Sequence, residues 1–583
     1  MNLSRILEKG YLPKELPPPF TSKTFGKKSR YITKKWKDYE TELKEQLPSE
    51  NSKNQAKKRF EPILKKHKLS KLFEYNIAKG KFSRRKIEIP HPQSYLNLCE
   101  KIVENWNLIK ETHDLSTFSE SKLYSETKIK RSVRTKSRSW SKFRNKLTEV
   151  SFNYKVQLKI DITNFYPTIY THTIPWSLLG KEDSKKYFQL KSENNHNFIA
   201  LTQTDNKAKK YQIGDNIDSL VRNCNDKQSI GLPIGPDSSF ILSEMLASRI
   251  DNEIAENLTG FDYKCIRYYD DYYFYLNSVS DAETVLKRTQ KILYNYKLEA
   301  NENKVEIKEL PYFQSDLWNI EIHNYKFKET DITDIQELEY YFSLIFKLVE
   351  ENRDKSSWII SYALTRFEFG KVKIRKENIN IFISLILKTL YLETSTIDQI
   401  FKIIYTYRTF LERKELNKIK ILLDKLIDEH ILLNHSFEIA WGLWFFKTFD
   451  INCEVSLLQK ILDSEDQISI LISLDIINNK PINKNKFDFS KLNSMLNSNN
   501  LYSEFWLINY EIEIKDWITN NLNSTITHKF FEILKKYEVS FYNINNQVKT
   551  NFNLSNQFSP FVDIPDFFNH SQAEDDEDED EDY

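Results

Sequence analysis

The sequence predicts an α+β protein, with a small β region that collects acidic residues at strand ends and a long all-α half after it. Three stretches carry this reading. Cys265 to Tyr275 places two adjacent carboxylates, Asp270 and Asp271, between aromatic and aliphatic runs of high strand propensity, which reads as a tight β-hairpin with the acids at its tip. Lys155 to Ile160 alternates polar and apolar residues with period two and delivers Asp161 at its end. Residues 312–480 contain no proline and only two glycines, Gly370 and Gly442, and stretches such as Ile381 to Leu392 carry apolar residues near helical spacing.

The acids define the chemistry. Side chains alternate between the faces of a strand, so Asp270 and Asp271 can serve one site only where the backbone turns. Adjacent ionised carboxylates repel one another, burial raises the cost, and a divalent cation is the usual remedy. For the pair alone, a solvated surface turn is an equal alternative. Asp161, a third carboxylate at a strand end about a hundred residues upstream, completes the set that two-metal phosphoryl transfer needs.

Three ordered motifs then carry a resemblance: Asp161-Ile162-Thr163-Asn164-Phe165-Tyr166, Gly231-Leu232-Pro233-Ile234-Gly235-Pro236, and Tyr268-Tyr269-Asp270-Asp271. Over roughly residues 80–320 the chain resembles reverse transcriptases. The continuation from Tyr166 through Tyr170, His172 and Pro175 to Trp176 resembles the AbiK-type branch of prokaryotic, defence-associated (abortive-infection) enzymes. The resemblance implies a right-hand palm and fingers, followed by a helical, solenoid-like domain in place of a thumb. It implies Asp161, Asp270, Asp271 and the carbonyl of Ile162 as ligands of two Mg2+ ions, with Mn2+ as a substitute. Tyr166 is implied as the wall that excludes a ribose 2′-hydroxyl, and Lys304 as the group that neutralises departing pyrophosphate. Many reverse transcriptases carry Gln before the first glycine of the second motif. Here it is Ile230, which fits relaxed template dependence among other readings.

Other residues are read from their chemistry. Gly231 and Gly235, with Pro233 between them, would let backbone approach a nucleotide or template, and Asp237 or Ser238 would cap the helix that follows. Lys128 to Lys146 holds nine Lys or Arg and no acid, with Trp140 and Phe143 interleaved. Arg131, Arg134 and Arg138 are therefore candidates for a phosphate cradle, against a surface-helix alternative. The basic, proline-bearing N-terminus reads as a flexible segment with short helices. Its Tyr31 and Tyr39 are candidate priming hydroxyls.

Composition bounds the rest. At 583 residues the chain exceeds one ordinary core. The expected division is an N-terminal extension (1–75), fingers and palm (76–325), a helical domain (326–560) and a disordered acidic tail (561–583). The formal net charge is +2, but Glu574 to Asp582 are nine consecutive acids, so the rest of the chain is +11, which suits a polyanionic partner. Four scattered cysteines indicate neither disulfides nor a zinc site. No metal-ligand cluster or nuclease signature is expected around His430, His435 or His528. Nothing reads as a signal peptide or membrane span, so a cytoplasmic protein without a membrane partner is expected. The leading reading is an antiphage DNA polymerase that uses deoxynucleotides, template-independent and primed on protein, with its DNA product covalently attached; relatives suggest a homo-oligomer. The alternatives are a reverse transcriptase copying a dedicated non-coding RNA, and an inactive nucleic-acid-binding scaffold.

Overall fold

The computed structural model describes residues 1–45, 70–79, 83–125, 131–135, 140–311, 317–328, 334–480, 482–496, 501–518 and 528–551. It opens on α1 (Leu3–Lys9), capped by the Asn2 side chain, and the 23-residue α2 (Lys23–Glu45). This corrects the expectation of a flexible extension with short helices. Ile6, Leu7, Tyr11, Phe25, Ile32 and Trp36 are buried in the main core, so both helices dock by an apolar face. The proline-bearing stretch between them is a strap across the molecule. Trp441 donates to the Glu15 carbonyl (2.9 Å), and Asn543 N–H to that of Pro19 (2.8 Å).

The fingers hairpin pairs β1 (Phe73–Lys79) with β2 (Ser83–Ile89) in antiparallel register from Phe73↔Ile89 to Lys79↔Ser83. Pro90 ends β2, and His91 caps α3 (Pro92–Glu104), which carries proline in its first turn as helix starts prefer. This helix breaks at Asn105 and the chain resumes as α4 (Trp106–His113). A short ladder, β3 (Leu123–Tyr124) with β4 (Arg134–Thr135), completes this part.

Glu88 on β2 gives a pH signature. Burial, reinforced by the Glu74 charge, pushes its carboxyl up to about 7. Because the folded value lies above the unfolded one, Glu88 contributes stability that is complete below about pH 4 and is lost as pH rises through about 7. Glu88→Gln should therefore gain on wild type by roughly 1–3 kcal/mol between pH 5 and 8. Urea denaturation at the two pH values checks this, and a pH-independent difference would contradict it.

The palm sheet has strand order β6 (Lys264–Tyr268), β7 (Asp271–Leu276), β5 (Val156–Asp161), β8 (Glu306–Glu309), all antiparallel. Val156, Leu158 and Ile160 join Tyr272, Phe274 and Leu276 on the face turned to the main core. The other face is covered too. Phe143 and Leu147 of α5 (Trp140–Ser151) pack on Ile266, Tyr273 and Tyr275. Phe143 thus serves the core rather than a nucleic-acid surface, and even Gln157 is only 3% exposed despite the alternating pattern of β5.

Between β5 and β6 run α6 (Phe165–Thr168), α7 (Thr173–Leu179), α8 (Lys181–Glu193), α9 (Asn195–Leu201), α10 (Asn206–Cys224) and α11 (Asp237–Asn257). The C-cap of α10 is Asn225. After the double-Asp hairpin comes α12 (Val279–Asn295).

The C-terminal half is all helix among the described residues: α13 (Leu317–Asn324), α14 (Ile335–Glu351), α15 (Ser356–Glu368), α16 (Ile379–Leu392), α17 (Ile397–Thr406), α18 (Arg413–Leu432), α19 (Ser436–Thr448), α20 (Val455–Leu462), α21 (Gln467–Asn479), α22 (Ser490–Met495), α23 (Trp506–Lys515) and α24 (Lys529–Lys536). Helices pack on the next or next-but-one helix, as in α15 on α17, α17 on α19, α19 on α21 and α21 on α23, which is a solenoid-like ladder. The array returns to the start of the chain, with α24 on α2 and α19 on β1. No described helix is long and apolar enough to cross a membrane.

Candidate active site

The palm register brings the acids together. Asp161 lies directly opposite Asp271 in the β5–β7 ladder, so both side chains leave the sheet on one face. Asp270 sits in the turn between β6 and β7, next to Tyr269, whose φ of +53° is the left-handed conformation that reverses the chain there. The turn is held at three points. Tyr269 N–H donates to Ser121 Oγ (2.7 Å), the Tyr269 carbonyl accepts from Arg267 (2.7 Å), and the Asp270 carbonyl accepts from Ile162 N–H (3.3 Å). Ile162, buried, also bridges to Ala300.

Electrostatics mark this cluster. Burial, then the Asp161 charge, pushes the Asp270 carboxyl above its ordinary value. Burial pushes Asp271 up to about 7, against the pull of Lys159. Asp271 Oδ1 is buried and meets no hydrogen-bond donor among the described residues, with Lys159 Nζ 3.6 Å away. Three carboxylates, one with an unfilled buried oxygen, fit a divalent-cation site in the palm. Lys304 stands beside them with Nζ 2.8 Å from Asp161 Oδ2. Burial lowers the Lys304 pKa, but its hydrogen bond to Asp161 and the charges of Asp161, Asp271 and Asp270 together outweigh that and leave it raised.

The structure adds residues that the sequence reading did not single out. Lys79 and Arg85 on the fingers hairpin feel the palm charges: Asp161 and Asp270 act on Lys79, and Arg85 acts on Asp270. Behind the hairpin turn lies a buried ionic group of Arg267, Glu244 and Asp251. Position alone gives no local signal of either.

Several assignments change. Arg131, expected in a phosphate cradle, is instead engaged within the protein. It pairs with buried Asp237 and donates to the carbonyls of Leu12 (3.1 Å) and Gly235 (3.2 Å), so its fork faces protein. Asp237 in turn does not cap α11, and nor does Ser238. The N-cap is Pro236 without a side-chain bond, and Asp237 accepts instead from Arg131 and Ser132. Arg134 lies half-buried on β4, and Arg138 falls outside the described residues.

The glycines are explained by protein contacts. Gly231 has φ +94° and donates to the Ile169 carbonyl (2.9 Å). Gly235 has φ +123°, and a Cβ there would lie 2.9 Å from Ile87 of β2. Pro233 is buried beside them. The loop therefore joins the Tyr166 segment to the fingers strand, with Leu232 N–H donating to the Tyr166 carbonyl (2.9 Å). Tyr166 is half-buried, and its phenol oxygen accepts from Ser243 of α11 (3.1 Å). Tyr31 and Tyr39 lie on docked α2, where Tyr31 stacks on Tyr537 (5.9 Å) and Lys529 lies over Tyr39 (5.9 Å). These contacts are with the C-terminal end of the molecule.

Residues 126–328 match the family model described as reverse transcriptase (RNA-dependent DNA polymerase). No curated protein sequence matches the chain. Among solved structures, it is similar to telomerase from Candida albicans in complex with a fragment of telomeric RNA (13% identity, TM-score 0.27), covering 60% of this chain and 64% of that one. It is also similar to apo telomerase from Candida tropicalis (14% identity, TM-score 0.28; 70% and 68% covered). The chain thus spans less than two thirds of the first of these. The matched segment holds the ordered acidic motifs and the antiparallel sheet that gathers them, and residues 126–328 are a reverse transcriptase domain.

Proposed function

We propose that this chain is a DNA polymerase of antiphage defence that extends a protein-linked primer without a template. The observation that carries the polymerase reading is the in-register convergence of Asp161 and Asp271 beside Asp270, with Lys304 on Asp161. When bound, a pair of Mg2+ ions supplies activation of the attacking hydroxyl and stabilisation of the leaving oxygen. Asp161, Asp270 and Asp271 would hold them, with the Ile162 carbonyl as a further oxygen. Lys79 and Arg85 face the triphosphate from the fingers, and Lys304 offsets charge on departing pyrophosphate. The defence reading rests on the continuation of the first motif through Tyr170 and His172 to Trp176, a pattern resembling the abortive-infection branch.

Tyr166, with its ring fixed through Ser243, is the proposed wall against a ribose 2′-oxygen. Tyr166→Ala should lower the deoxy/ribo ratio of kcat/KM by roughly tenfold or more. An unchanged ratio would place the gate elsewhere.

Priming decides between the readings. A tyrosine phenol can replace a 3′-hydroxyl as the attacking group. The test incubates purified protein with Mg2+ and labelled deoxynucleotides, without nucleic acid, and denatures it. Expected is label that stays with the denatured protein and is removed by DNase, compared across Tyr31→Phe and Tyr39→Phe. Label that always separates on denaturation, and appears only when an RNA is supplied, would replace this reading with templated synthesis on a non-coding RNA. No incorporation under either condition would leave a nucleic-acid-binding scaffold.

A further inference from the structure

The helical half contains a second polar centre, at the junction with the fingers hairpin. His430 lies in the last turn of α18, His435 is the N-cap of α19, and Glu438 is in its first turn. Between them Asn434 adopts φ +54°, and His435 N–H donates to the His430 carbonyl (3.1 Å), so the chain doubles back. The two Nδ1 atoms come within 2.7 Å, and one ligand atom from each of His430, His435 and Glu438 lies within 4.8 Å of the others. The sequence reading that expected no ligand cluster here is thereby corrected. At 2.7 Å two imidazoles share one proton, with one Nδ1 donating and the other offering its lone pair. Burial lowers both histidines, which favours the neutral forms that bind metals.

The surroundings select the sign of the guest. Arg84 of β2 pairs with Glu438 (2.6 and 2.7 Å), so those two charges cancel. Glu393, buried and held by Ser356 and Ser395, then leaves the inner wall negative, while Glu350 and Arg353 offset one another at the rim. A cation suits this wall better than a phosphate. Glu438 keeps room for it. Oε1 accepts from Arg84 and from Thr394 (3.2 Å), whereas among the described residues Oε2 accepts only from Arg84 and retains a lone-pair direction. The cluster borders a cavity of about 480 Å3 whose apolar side includes Phe346, Val349 and Leu392.

We propose that His430, His435 and Glu438 bind one divalent transition-metal ion of the zinc class, with an open coordination position turned to this cavity. Imidazole nitrogens select zinc-class ions over Mg2+, and two histidines with one carboxylate leave room for water or a small ligand. Binding would open the Nδ1 separation to ~3.3 Å, the tetrahedral edge for bonds of about 2.0–2.1 Å. The shared proton re-forms on Nε2 of the donor ring, so both imidazoles stay neutral and no proton is lost overall. Because Arg84 belongs to the fingers hairpin, the ion would sit where that hairpin is fastened to the helical half.

The test uses the full chain, stripped with chelator and kept in millimolar Mg2+ so that the oxygen-only palm site holds its hard cation. After Zn2+ addition and gel filtration, metal analysis should find one zinc per chain, and Co2+ should give the visible absorption of a four- or five-coordinate nitrogen site. Both signals should vanish in His430→Gln and in His435→Gln. No retained zinc in the wild-type protein overturns the proposal, whatever the variants do. Zinc or the cobalt band persisting in either folded variant also overturns it, since the ion would then be bound elsewhere.

Discussion

Replacing Asp270 with Asn should abolish nucleotide addition while leaving the fold intact. The substitution removes one unit of ligand charge with almost no change of shape, at a turn fixed through its neighbours' backbone: Ser121 on Tyr269 N–H, Arg267 on the Tyr269 carbonyl, and Ile162 on the Asp270 carbonyl. None of these bonds uses the Asp270 side chain. The folded state should even gain slightly near neutral pH, because the carboxyl is raised by burial and by Asp161, so ionising it costs stability without a cation. Mg2+ requires anionic oxygen, and a loss of about 4 kcal/mol in transition-state stabilisation corresponds to roughly 10^3-fold in rate. The check is single-turnover incorporation in wild type and variant, beside thermal melts of both. Activity within tenfold of wild type, in a variant that melts normally, would remove Asp270 from the metal site.

The parts of the site that were legible in the sequence are those whose signal is local. Asp270 and Asp271 interrupt a run of strand-forming aromatics, and a turn there must present both acids. Asp161 ends a short strand whose Val156, Leu158 and Ile160 do line one face. The helical half was legible because proline and glycine are nearly missing from it. What was not legible depends on long-range pairing. Arg131 sits in a basic run that reads as a phosphate cradle, and only the fold brings Asp237 to it across 106 residues. The apolar residues of α1 and α2 are too widely separated by Lys, Arg and Pro to announce that they join the core. His430, His435 and Glu438 are close in sequence, yet on one continuous helix their spacing would scatter them; the left-handed Asn434 turns them toward each other. Lys79 and Arg85 acquire meaning only when the hairpin faces the palm.

The largest expected effect on stability lies beneath the catalytic turn. Arg267 is fully buried, with Nε bonded to Asp251 (2.8 and 3.0 Å) and its terminal nitrogens to Glu244 (2.9 and 3.0 Å). Asp251 also accepts from Ser116 (2.5 Å) and Tyr272 (2.8 Å), and Glu244 from Ser119 (2.6 Å). Two carboxylates share one guanidinium; burial alone would lower the arginine, but their charges outweigh it and hold it protonated. Arg267→Met leaves both acids buried without a cation, which should cost about 3–5 kcal/mol. It also removes the donor to the Tyr269 carbonyl and so loosens the turn that carries Asp270. These two consequences can be separated. Adding Glu244→Gln and Asp251→Asn to Arg267→Met removes the stranded charges and should recover at least half of the lost stability, because neutral groups of the same shape keep their serine and tyrosine partners. Nucleotide addition should stay impaired in that triple variant, since nothing replaces the bond to Tyr269. Urea denaturation and incorporation assays on the three proteins provide the comparison. A single-variant cost below about 1 kcal/mol would mean that the group is not ionised as drawn, and full activity in the triple variant would mean that the Tyr269 carbonyl does not position the turn.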